Sequence, residues 1–112
     1  MSLKTLRQIF KACAEDTRLR ILNILNGREL TVKEICSYLG VSQPAASKHL
    51  SRLRLLRIVI DRREGNLVYY GLNLSPDLPQ RKVVSFIISQ FKNVNIFKKD
   101  NEAMRNGKKK KK

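Results

Sequence analysis

Two helix-start signals eleven residues apart constrain this chain more than any other feature of its 112 residues. In Thr31-Val32-Lys33-Glu34 the threonine hydroxyl can cap the Glu34 amide while the Glu34 carboxylate reaches back, a capping box. The helix this predicts places Val32, Ile35, Cys36 and Leu39 on one side and closes at Gly40. Ser42 then caps a second helix, Gln43 to about Leu56, with Ala46, Leu50 and Leu53 inward at i, i+4 and i+7. Only Gly40-Val41-Ser42 separates the two. Short capped helices joined this tightly form a helix-turn-helix.

Elements on either side support that pair. Leu3, Leu6, Phe10 and Cys13 recur at helical spacing through Ser2–Ala14. After Glu15-Asp16, whose carboxylates suit a helix N-terminus, a second helix carries Leu19, Leu22 and Leu25 inward, flanked by Ile21 and Ile24, and stops at Gly27. Beyond the helix-turn-helix, Ile58–Arg63 alternates apolar and charged residues, Gly65-Asn66 is a two-residue turn, and Leu67–Tyr70 returns as a hairpin strand. Ser75-Pro76 predicts one last helix to about Phe97. Val83, Val84, Phe86, Ile87, Ile88, Phe91, Val94 and Phe97 would cover about 200° of it, roughly twice the arc a surface helix needs. The surplus predicts a second copy packed against this helix and the first one, through Leu3, Leu6, Phe10, Val84, Ile87, Ile88 and Phe91.

The formal charge of +15 favours a polyanionic partner, nucleic acid ahead of an anionic membrane. From Lys98 onward, seven lysines and Arg105 face only Asp100 and Glu102, so that stretch carries +6 and the first 97 residues carry +9. The excess therefore belongs to the domain, and residues 98–112 read as a basic disordered tail on a 1–97 domain. No apolar run approaches a membrane span, and the first residues do not have the pattern of a secretory signal. The expected location is the cytoplasm, with Cys13 and Cys36 as reduced thiols.

Along the second helix of the pair, Gln43, Pro44, Ser47, Lys48, Ser51, Arg52 and Arg54 are not needed for the core. Gln43 and Ser47 lie one turn apart at the N-terminal end, which reaches base edges when such a helix enters a major groove. Glutamine can pair with adenine through two hydrogen bonds. Lys48, Arg52, Arg54 and Arg57 give the segment +4 with no acid between Gln43 and Arg57, which suits phosphate anchoring. Arg62, Arg63 and Asn66 sit at the hairpin tip, where a second groove or phosphate contact is expected, though Asp61 and Glu64 offset the arginines. His49, the one histidine, borders the core side and reads as structural or phosphate-proximal. Cys13 and Cys36 fall on apolar faces and read as core thiols, with a redox or soft-metal pair as the alternative.

Together the segments EDTRLRILNIL, ELTVKEICSYLGVSQPAASKHLSRLR and RREGNLVYYGL resemble the ArsR-type winged-helix transcriptional repressors across roughly residues 3–97. The resemblance implies a mainly α fold with a small β-hairpin wing (α+β), a winged helix-turn-helix of four helices, two strands and a fifth helix. It also implies a homodimer on an imperfect palindrome of double-stranded DNA, with Gln43, Ser47 and Lys48 in the groove and Arg62 or Arg63 in the wing. Members of that family typically repress until an effector, in many cases a metal or metalloid, releases them. Where the arsenic and lead sensors carry Cys-Val-Cys after Glu-Leu, this chain has Thr31-Val32-Lys33, and no histidine follows His49 for a zinc-type site. The expectation is thus a non-enzymatic regulator without cofactor or recognisable metal site, its effector unspecified. Two alternatives are a repressor switched through Cys13 and Cys36, and a winged helix serving as an RNA-binding or protein-interaction module.

Overall fold

Local capping accounts for the first four helices of the computed structural model, which describes residues 1–107. Helix α1 spans Leu3–Ala12, with Ser2 accepting from the Thr5 amide, and α2 spans Asp16–Ile24, with Glu15 accepting from the Arg18 amide. A two-residue strand β1, Leu30–Thr31, precedes α3, Val32–Leu39. Both halves of the Thr31/Glu34 capping box form, and Gly40 ends α3 at φ 69°, the left-handed conformation glycine takes without a Cβ penalty. Ser42 caps α4, Gln43–Leu55. The hairpin is β2, Val59–Glu64, and β3, Leu67–Leu72, and β1 joins it in the order β1-β3-β2. Ile9, Ile21, Leu22, Ile24, Ile35, Leu50, Leu53 and Ile58 form the centre of the core.

The C-terminal third departs from the expected single helix. Helix α5 is Pro79–Ser89, a 3-10 turn follows at Phe91–Asn93, and α6 spans Asn95–Arg105. Ser75-Pro76 does not open α5 because Pro79 lies four residues after Ser75. Inside a helix that proline would lack its amide bond and strike the Ser75 carbonyl. Leu78, held extended before Pro79, becomes the N-cap instead. The break near residue 90 resolves the oversized apolar arc. The chain folds back at Val94, Phe91 and Phe97 pack with ring centroids 4.3 Å apart, and two short helices bury what one straight rod could not.

This fold-back also corrects the expected boundary at 97/98, because residues 98–105 are helical rather than a disordered tail. Polar groups hold α6 on α2. Arg20 donates to both oxygens of Asp100, at 2.9 and 3.0 Å, and also to the Leu39 carbonyl of α3 at 3.0 Å. Asn23 donates to the Phe97 carbonyl and to Asn101. The lysine run 108–112, part of the expected tail, lies outside the described residues.

The exit from α4 is made by Arg57 at φ 62°, the one non-glycine residue among those described with positive φ. Its amide bonds to the Arg54 carbonyl and the Ile58 amide to the Leu53 carbonyl. A side chain in this conformation costs about 1–2 kcal/mol, and the entropy glycine gains when unfolded offsets part of that. Arg57→Gly should therefore stabilise the chain by about 0.5–1 kcal/mol in urea denaturation. Asp100 is fully buried. Its replacement by alanine strands the Arg20 guanidinium and should cost on the order of 3 kcal/mol in the same measurement.

Candidate nucleic-acid interface

Helix α4 is anchored by the burial of Ala46, Leu50 and Leu53, which turns Gln43, Pro44, Ser47, Lys48, Ser51, Arg52 and Arg54 to solvent. The expected groove residues are thus all on the exposed surface of one helix. Among the described residues neither Lys48 nor Arg52 has an ion-pair partner, so both charges remain available. Arg54 leans toward the hairpin, 3.4 Å from Asp61 on β2.

His49 faces inward. Its Nδ1 lies 3.1 Å from an Arg18 nitrogen, and because a guanidinium only donates, Nδ1 must accept. The ring is then neutral, with its proton on Nε2. Arg18 also donates through Nε to the Ala12 carbonyl at the end of α1, at 2.6 Å. One α2 side chain therefore ties the end of α1 to the recognition helix. Burial lowers the His49 pKa from its ordinary 6.5; Arg18 and Lys48 push the same way, against Glu15 at 3.9 Å.

The wing separates its two arginines. Arg62 is held by Glu29 at 3.0 Å and Glu64 at 2.9 Å, and its guanidinium lies 4.9 Å from the centre of the Tyr69 ring. These carboxylates raise its pKa. Arg63 has no such partner among the described residues, and Asn66 is exposed in the turn beside Gly65. Sequence reasoning identified the hairpin tip but not Glu29, 33 positions away, nor Arg18. Gly71 within a strand pattern was the available signal, since glycine there marks a close approach.

The residues expected to meet a second copy divide. Leu3 is 75% exposed and Phe10 55%, while Leu6, Ile87 and Ile88 are half-buried. Val84 and Phe91, at 7% and 8%, are occupied within the chain's own core, and Phe86, 68% exposed, stands beside them unassigned. All four phenylalanines line one cleft of about 780 Å³ between the terminal helices, together with Cys13. Cys13 and Cys36 are both buried and unbridged, and burial raises the Cys13 pKa against the pull of Arg18, disfavouring the thiolate. Among the described residues no three His, Cys, Asp or Glu side chains gather to hold a metal ion, and no helix is long and apolar enough to cross a membrane.

The His49 geometry sets a pH dependence. With its proton affinity lowered by folding, the unfolded chain takes up the proton first as pH falls through 6.5. This contribution to stability is intact above that pH and is lost below it. Urea midpoints at pH 7.5 and 5.5 should fall further for wild type than for His49→Gln.

Residues 15–61 match the family described as bacterial regulatory proteins, arsR family. The transcriptional repressor SdpR of Bacillus subtilis is 35% identical over 68 residues, which is 61% of this chain and 76% of that protein. Against four further curated relatives the match spans only 50–61% of their length. Among solved structures, reduced HlyU from Vibrio cholerae superposes with a TM-score of 0.68 at 31% identity, over 80% of this chain and 92% of that one. The homodimeric winged helix-turn-helix DNA-binding domain Mb0332 of Mycobacterium bovis, solved in solution, gives 0.65 at 28% identity, over 80% and 82%. With its capped helix pair, recognition helix and wing in the same order, the chain belongs to the arsR family of bacterial transcriptional regulators.

Proposed function

We propose that two copies of this chain bind one DNA duplex sequence-specifically and repress transcription from it. The observation that carries this is α4, capped and packed on one side, with Gln43, Ser47, Lys48 and Arg52 exposed on a helix that has no acid. Gln43 and Ser47 read base edges; Lys48 and Arg52 hold phosphates. Two-fold pairing would bring two such helices to successive major grooves, about 34–36 Å apart. The exposed Leu3, Phe10 and Phe86 favour that pairing, as does the homodimeric state of the Mycobacterium bovis domain. An effector would release the pair from an imperfect palindrome. The reading assigns no catalytic activity and a cytoplasmic location. Burial of both thiols counts against the redox alternative.

Duplexes selected from a random pool test this directly. Gln43→Ala should lower the ratio of selected to random duplex affinity by about tenfold, as expected for one paired base contact. Arg52→Gln should weaken both duplexes alike and reduce the slope of log affinity against log salt by about 0.9. Equal binding of single-stranded RNA and the selected duplex would instead favour the RNA-binding alternative.

A further inference from the structure

Arg62 and Arg63 are neighbours in sequence but stand on opposite faces of β2, because strand side chains alternate. Their surroundings differ in sign. Arg62 shares its face with two carboxylates, Glu29 and Glu64, so the cluster carries one net negative charge. A phosphate would be repelled there. Arg63 shares its face with Asp61, whose charge is met by Arg54 of the recognition helix, so that side keeps one net positive charge and borders α4.

Glu29 reaches Arg62 by an unusual route. It lies just before β1, and β3 intervenes between β1 and β2. The register sets Leu30 opposite Tyr70 and Ile60 opposite Gly71, which puts Gly71 in the row Glu29 must cross. A Cβ at residue 71 would stand 3.3 Å from the Glu29 Cγ and 3.8 Å from its Oε2. The missing side chain is what lets the carboxylate cross the middle strand. On the far side, Arg62 receives it with two nitrogens, Nε at 3.2 Å and a terminal nitrogen at 3.0 Å, beside the Tyr69 ring.

We infer that Glu29, Gly71 and Arg62 form a brace that sets the angle of the wing against the helix-turn-helix, leaving Arg63 as the wing's phosphate contact. Glu29 and Arg62 are positioning residues, since neither touches DNA. This division of labour deepens the DNA-binding reading and rests on it, whereas the brace itself concerns the free chain.

Two measurements on the full chain decide the matter. In hydrogen exchange without DNA, Glu29→Gln, Gly71→Ala and Arg62→Gln should each speed exchange a few-fold in residues 59–72 and leave α3 and α4 unchanged, while Arg63→Gln should change neither. In binding to a mixed-sequence duplex across a salt series, Arg63→Gln should reduce the salt slope by about 0.9. Arg62→Gln should keep the wild-type slope while weakening affinity, and Arg62→Lys, a charge without the fork, should restore little of it. Unaltered exchange in the three brace variants would overturn the brace. A slope lowered as much by Arg62→Gln as by Arg63→Gln would make Arg62 a phosphate contact and overturn the division. If wild type binds no duplex, the DNA-binding reading fails and the division with it, while exchange still decides the brace.

Discussion

Asp100 has no exposure to water, and an ionised carboxylate in such a place is tolerable only if its partner and its geometry are both good. Arg20 meets that condition with two nitrogens on its two oxygens, and reaches the end of α3 with the same guanidinium. Three helices are thereby fixed by one ion pair. With α6 held down, Phe97 can close on Phe91, and the bend near residue 90 becomes the stable arrangement of the C-terminal third.

The charge excess of this chain is large, but its cations do not share one task. Arg18 and Arg20 act inside the fold, Arg54 and Arg62 join the wing to its surroundings, and Lys48, Arg52 and Arg63 remain free. Net charge argues for a polyanion, while the pairing pattern selects which arginines can meet it. That distinction matters most at the hairpin tip, where adjacent residues of one type have opposite environments.

What the amino-acid order revealed was local. The Thr31/Glu34 box, Gly40 and Ser42 each act within a few residues, and the helix-turn-helix follows from them directly. The hairpin is legible for the same reason. The C-terminal helix was misjudged because two prolines, Pro76 and Pro79, competed for the first position, and because an apolar arc does not say whether its surplus is covered by another copy or by the chain bending on itself. Here both occur to different residues: Phe91 turns inward while Phe86 stays out. The exposed residues of α4 were also readable, whereas Glu29, Arg18 and Asp100 were not, since their partners lie 31 to 80 positions away.

Arg18 touches the last turn of α1 with one nitrogen and the recognition helix with another. A genetic screen for lost repression would therefore return this codon alongside Lys48 and Arg52, although its side chain points away from any operator. Phenotype alone would group the three. Thermal denaturation would sort them, because only the Arg18 lesion loosens the scaffold on which the reading head is mounted.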